Sequence, residues 1–162
     1  MRRNTLSSPI DRKAAAQSAV RTVNTEAKGL AALASALNNG LAEPFAEAVE
    51  LISKITGRLI VTGVGKSGHI GSKIAATMAS TGTPAFFVHP AEANHGDLGM
   101  IDLDDAILAI SWSGETAELK GIVTYARRFN IPIIAITSGV DSTLGRESTV
   151  LLALPKTAEA CP

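Results

Sequence analysis

The sequence predicts an α/β fold in which a five-stranded, doubly wound parallel sheet carries helices on both faces. Three observations point to it. After Gly57 there are five short apolar runs rich in β-branched residues. These runs are continuous rather than alternating, as expected of strands covered on both sides. Helical stretches separate them, and strand–helix alternation along one chain implies right-handed crossovers and parallel pairing.

Residues 1–9 read as a polar tail ending at Pro9, and 10–162 as one domain, in keeping with the length of 162 residues. From Ile10 to Leu37 apolar residues recur at helical spacing (Val20, Val23, Ala27, Leu30, Ala31, Ala34), and Asn38-Asn39-Gly40 is a stop signal. A second helix, about Glu43 to Ile55, places Phe45, Val49 and Ile52 on one face before Gly57. Together they predict an N-terminal helical hairpin that covers a sheet or serves a partner subunit. Strands are expected at 58–62, 84–88, 106–111, 132–137 and 149–154, with helices at about 67–81, 91–97 and 115–129 and a short turn near 141–146. The strand order expected is flavodoxin-like.

Composition excludes several classes of function. Hydrophobic residues make up 46% and charged residues 19%, too apolar for a disordered chain. Fifteen basic residues balance fifteen acidic ones, so neither a nucleic-acid partner nor a membrane surface is expected. Cys161 is the lone cysteine, leaving no internal disulfide or cysteine metal cluster. No apolar run approaches the roughly 18 residues of a membrane span. The start, MRRNTLSSPIDRK, has no apolar core of a signal peptide, so a cytoplasmic location is expected.

In an open parallel sheet, ligands bind beyond the carboxyl ends of the strands where the strand order reverses. The loops at 63–68, 89–100, 111–116, 137–142 and 155–162 therefore matter most. In the first, Thr62-Gly63-Val64-Gly65-Lys66-Ser67-Gly68 lies between a strand and a helix. Glycines allow close backbone approach, and a helix start offers unpaired N–H groups and a positive dipole end. A phosphate is the expected guest; a tight turn whose glycines only serve packing is the plainer alternative. It is no Walker A loop, because Ile60 holds the place of that loop's first glycine. Gly63, Gly65 and Gly68 match the dinucleotide pattern, but the next strand ends in Val88-His89-Pro90 with no ribose-binding carboxylate before Glu92. That weakens a nicotinamide reading.

In the second loop, Ser111-Trp112-Ser113-Gly114-Glu115-Thr116, three hydroxyls gather at a helix start. Ser113 as a cap and Glu115 as a dipole partner would account for two of these residues. Two hydroxyl-rich turns on neighbouring strands suit a phosphorylated sugar, whose many oxygens each need a partner.

The strings GVGKSGHIGSKIAATMASTGTPAFFVHPAEANHGDLGMI and ISWSGET make the chain resemble the sugar isomerase (SIS) domain, in its arabinose 5-phosphate isomerase branch, over roughly residues 20–162. The resemblance implies a cofactor-independent aldose–ketose isomerase that interconverts arabinose 5-phosphate and ribulose 5-phosphate through an enediol. That reaction feeds the Kdo of Gram-negative lipopolysaccharide. It also implies a homotetramer with shared sites. By similarity Lys66, Glu118, Glu159 and His95 are the catalytic candidates, and Gly65, Ser67, Ser111, Ser113, Thr116 and His89 the sugar-phosphate contacts. Plainer roles stand beside these: a solvated helix residue for Glu118, a polar tail for Glu159, a loop hydrogen bond for His95. The spacing of the three histidines predicts no metal site. Trp112 departs from the small polar residue usual at its place, which bears on the substrate preferred. The family pattern continues past Pro162 into a closing helix and a pair of CBS domains. A ligand site that is recognisable but incomplete is therefore expected, and with it an alternative, a sugar-phosphate-binding module without turnover.

Overall fold

A computed structural model describes residues 10–160; the polar tail 1–9 and Cys161 lie outside the described residues. The chain divides into two compact units, one formed by the residues up to Ser35 with those from Pro155 onward, the other by Ala36–Leu154.

The first unit is mainly helix α1 (Arg12–Leu37), whose last two residues belong to the second unit. Asp11 starts the helix: its carboxylate accepts the amides of Lys13 and Ala14 at 2.9 and 3.0 Å, satisfying donors that a helix start leaves unpaired. The alanine-rich sequence favours the helix by itself. None of its residues is buried, and Val20, Val23 and Leu30 remain exposed. In the same unit the segment after Pro155 passes α1 at Gly29, where an added Cβ would lie 3.6 Å from Thr157 Oγ1.

The second unit holds α2 (Ala42–Lys54) and then alternates strand and helix: β1 (Leu59–Gly63), α3 (Lys66–Ser80), β2 (Ala85–Phe87), α4 (Pro90–Ala93), β3 (Ala106–Ile110), α5 (Lys120–Phe129), β4 (Ile133–Thr137), α6 (Thr143–Glu147) and β5 (Val150–Ala153). Each predicted strand has its counterpart, and where only a short turn near 141–146 is expected the chain forms the one-turn helix α6. The segment expected as a helix over 91–97 is broken instead, ending at Ala93, turning through Gly96 at φ +137°, and resuming as a 3₁₀ turn over Asp97–Met100. The helix expected from 115 begins as a 3₁₀ turn at Ala117–Leu119, since Thr116 is still extended.

All pairings are parallel and the strand order is β2-β1-β3-β4-β5, the flavodoxin-like order expected. Every residue of β1 is buried, whereas the edge strand β2 is only half-buried, which is why the central strands carry unbroken apolar runs. Alternate residues enter opposite cores. Ile60, Ile107 and Ile133 pack with Ala93 of α4 and with Ile122 and Ala126 of α5. Leu59, Val61 and Leu108 pack with Ala48 of α2 and Ala75 of α3. Helices thus cover both faces, and no helix among the described residues is long and apolar enough to cross a membrane.

The amino end of the sheet is tied by Asp105, 1% exposed. Its carboxylate accepts the Arg58 amide at 2.7 Å, the Asp102 amide at 2.9 Å and Arg58 Nη2 at 3.1 Å. The same guanidinium reaches the Met100 carbonyl at 2.7 Å and lies 4.9 Å from the Phe86 ring centroid. Burial pushes the Asp105 carboxyl upward, but the hydrogen bonds from the Arg58 side chain and from the two amides, with the Arg58 charge, outweigh burial and hold it below its ordinary 3.8.

A carboxylate with a lowered folded-state pKa stabilises the fold above its unfolded pKa, and that stability is lost as the pH falls through the folded value. Asp105→Ala leaves buried donors unsatisfied and is expected to cost about 3 kcal/mol in urea unfolding at pH 7. The difference between variant and wild type should shrink as the pH drops below about 4.

Candidate functional site

The strand order reverses between β1 and β3. The first crossover leads from β1 to β2 on one side, and the second returns to β3 on the other side of β1. Gly63 at the end of β1 pairs with Ile110 at the end of β3. The loops 63–66 and 111–116 therefore leave the sheet side by side at its carboxyl edge.

In the first loop Gly65, at φ +58°, precedes Lys66, the first residue of α3, and no side chain caps the helix. Its first-turn amides thus face the loop without a side-chain acceptor. A Cβ on Gly68 would lie 2.7 Å from the Gly63 carbonyl oxygen, so this glycine lets α3 start directly against the end of β1. Lys66 is exposed and Ser67 half-buried.

The second loop is held from within. Ser111 is buried, and its Oγ lies 2.7 Å from Thr116 Oγ1 and accepts the Gly114 amide at 3.1 Å. Ser113 Oγ accepts the Glu115 amide at 3.2 Å. These bonds occupy mainly acceptor sites. A hydroxyl has one proton and two lone pairs, so Ser113 and one member of the Ser111–Thr116 pair each still have a proton to offer. A turn that keeps hydroxyl protons to donate suits an anionic guest.

The loop is also clamped to its neighbour after β4. The Trp112 carbonyl accepts Thr137 Oγ1 at 3.1 Å, the Ser138 amide at 3.0 Å and Ser138 Oγ at 2.9 Å. The Leu144 amide donates to the Gly114 carbonyl at 3.0 Å. Glu115, a candidate dipole partner for its own helix, instead reaches α6: Oε1 accepts the Thr143 amide at 2.6 Å and Oε2 the Thr143 hydroxyl at 2.8 Å. These two hydrogen bonds, against slight burial and with the charge of Arg146, hold the Glu115 carboxyl below its ordinary range. A cavity of about 230 Å³ adjoins the loop, lined in part by Glu115, Thr116, Lys120 and Leu144. The Trp112 indole is 47% exposed.

His89 follows β2 and caps α4, its Nδ1 accepting the Ala91 amide at 3.2 Å, so Nε2 carries the proton in this arrangement. His95 sits exposed in the turn after α4. Its neighbour Asn94 donates from Nδ2 to the Glu118 carbonyl at 3.2 Å, which ties the His95 turn to the 3₁₀ turn bearing Glu118. Asn94 fits there because Gly121 has no side chain: a Cβ would lie 2.9 Å from Asn94 Cγ.

The structure thus places Gly65, Lys66, Ser67, His89, His95, Ser111, Ser113, Thr116 and Glu118 on the loops and helix starts that follow β1, β2 and β3. Glu159 belongs to the other unit, where it is exposed in the irregular segment after Pro155. Among the described residues no group of three His, Cys, Asp or Glu side chains could hold a metal ion. The sequence reading singled out none of Asn94, Thr137, Ser138, Ser142 or Thr143, although it named their loops. Ser142 three residues before Gly145 was a readable cap signal, and its Oγ accepts the Gly145 amide at 3.1 Å.

Comparison with known proteins identifies the family. The family model described as the SIS domain matches residues 51–161. The chain belongs to the SIS domain family. It is 54% identical over 129 residues to an arabinose 5-phosphate isomerase KdsD of Francisella tularensis, covering 78% of this chain and 39% of the relative. The KdsD of Yersinia pestis is 47% identical over 146 residues, covering 90% and 43%. The chain therefore spans about two fifths of the length of these relatives. Among solved structures, the c3406 protein of E. coli CFT073, in complex with a sugar phosphate, superposes with a TM-score of 0.83 at 35% identity, over 93% of this chain and 78% of that one.

Gly114 is the SIS loop's most demanding position, with φ +70° and space for a Cβ only at 2.5 Å from Ser142 Cβ. Gly114→Ala is expected to lose about 2–3 kcal/mol in chemical denaturation from strain and overpacking. Gly40→Ala, with open space around the glycine, should stay within about 1 kcal/mol of wild type.

Proposed function

We propose that this chain, over residues 10–162, is the sugar-phosphate-binding domain of an aldose–ketose isomerase that interconverts D-arabinose 5-phosphate and D-ribulose 5-phosphate without a cofactor. The observation that carries the proposal is the meeting of loops 63–66 and 111–116 at the β1/β3 edge, one with an uncapped helix start and the other with hydroxyl protons to donate. Relatives named arabinose 5-phosphate isomerase, 44–54% identical, and the sugar-phosphate complex of c3406 support the choice of ligand.

In this reading the phosphate rests on the α3 start and on Ser67, Ser111, Ser113 and Thr116, with Gly65 allowing close approach. The reaction moves one hydrogen between adjacent carbons. A base removes the C2 proton of the open-chain aldose and the C1 carbonyl oxygen gains a proton, giving the enediol. Loss of the C2 hydroxyl proton and delivery of a proton to C1 then give the ketose. Glu118 and Glu159 are assigned to proton transfer, His95 to proton transfer at a shared site, and the Lys66 ammonium to the developing enediolate oxygen. His89, whose Nε2 carries a proton, is assigned to a sugar hydroxyl.

The proposal extends to a homotetramer. A helix of 26 residues with none buried and Val20, Val23 and Leu30 exposed fits a second copy as its cover. It places the reaction in the cytoplasm, in the supply of Kdo for lipopolysaccharide.

Arabinose 5-phosphate should raise the unfolding temperature, and a concentration of 100 times Kd corresponds to about 2.7 kcal/mol. Nicotinamide nucleotides should leave it unchanged. Ketose formation should fall by at least about a hundredfold in Lys66→Ala and in Glu159→Gln. Turnover unaffected by both substitutions overturns the catalytic assignment, and binding without any turnover marks the chain as a binding module.

A further inference from the structure

We propose that Glu115 is a positioning residue, whose carboxylate grips the amide and hydroxyl of Thr143 and so holds the 111–116 turn in the shape that presents its hydroxyls to a phosphorylated ligand. The inference rests on the sugar-phosphate reading of this turn.

An exposed carboxylate ordinarily keeps its water and orders little around it. Glu115 is exposed, yet each of its oxygens accepts from the same residue 28 positions away, at 2.6 and 2.8 Å. Two charge-assisted bonds to one partner fix direction as well as distance. The residue stands at the centre of the turn, because its amide donates to Ser113 Oγ and the next residue, Thr116, pairs with Ser111. Gly114 beside it is at φ +70°, a conformation glycine enters freely, so the backbone there is a pivot that its own sterics do not lock.

The other ties to the β4–α6 segment run through the carbonyls of Trp112 and Gly114, which any sequence would supply. Glu115 gives the turn a side-chain grip on α6. The gripped end is itself firm: Ser142 caps α6, and Glu147 at its far end pairs with Arg127 of α5 at 3.0 Å. Loss of the carboxylate frees the turn to pivot about Gly114 and disperses the hydroxyls, while both hydrophobic cores stay intact.

The experiment compares wild type, Glu115→Ala, Glu115→Gln, Thr143→Val and the double variant Glu115→Ala/Thr143→Val in this chain. Arabinose 5-phosphate affinity is read by calorimetry, and mobility of the ligand-free turn by acrylamide quenching of Trp112, the sole tryptophan. Glu115→Ala should bind at least tenfold more weakly and be quenched more readily. Thr143→Val, which keeps the amide donor, should lose roughly threefold, and Glu115→Gln should fall between the two. The double variant should be no worse than Glu115→Ala alone, as expected for groups acting through one contact. Wild-type affinity in Glu115→Ala overturns the inference even if the unfolding temperature drops, since that would be a purely structural role. A wild-type chain that binds no arabinose 5-phosphate overturns the ligand reading and this inference with it.

Discussion

The side-by-side pairing of β1 and β3 is the constraint on which the rest of the structure depends. Five residues of each strand align in register, from Leu59 with Ala106 to Gly63 with Ile110. Both strands are almost wholly buried, so they cannot tilt or slip without exposing apolar surface on both faces. Because all strands are parallel, every strand-to-helix loop leaves at the same edge, and the reversal of order at β1/β3 leaves two of them without an intervening crossover. The place for a ligand is thus a consequence of topology, set before any polar residue is chosen.

The polar residues then decide what that place accepts. The carbonyls of Trp112 and Gly114 in the β3 loop are taken by Thr137, Ser138 and Leu144, while the hydroxyls of Ser111 and Ser113 accept amides of their own turn. Hydroxyl protons of Ser113 and of the Ser111–Thr116 pair remain on offer. In the proposed reading such a lining selects an anion without a large positive patch, in keeping with a chain whose basic and acidic residues balance. The opposite edge does the reverse work: the Arg58–Asp105 pair satisfies its own groups and ties strands to the incoming loop. One edge is closed by internal pairing and the other keeps donors for a guest.

Much of this was legible in the sequence. Continuous apolar runs such as Ile60-Val61 and Ile133-Ile134 announce strands buried on both faces, and glycine with serine after β1 and β3 announces the two turns that the fold sets side by side. Less legible was everything that depends on partners far along the chain. Glu115 and Thr143 are 28 residues apart, and Asn94 and Glu118 are 24 apart; each looks like a solvated polar residue until the fold brings it to its partner. His89 resembled a ligand group by position, and only the chain direction after β2 shows that one ring nitrogen caps α4. The break at Gly96 had a local signal, since only Ala91-Glu92-Ala93 favour a helix while Asn94, His95, Gly96 and Asp97 are poor helix formers, and the turn needs a backbone conformation that glycine alone adopts readily.

The two outer strands have a consequence of their own. β2 has three residues and lies between Pro84 and Pro90, and β5 has four and is soon followed by Pro155. Prolines cannot donate to a further strand, and so short a rim gives another backbone little to zip onto. The sheet is therefore terminated on both flanks, protected from runaway edge-to-edge stacking. Rims this short leave association to side chains on helices and loops, where shape and charge can select the partner.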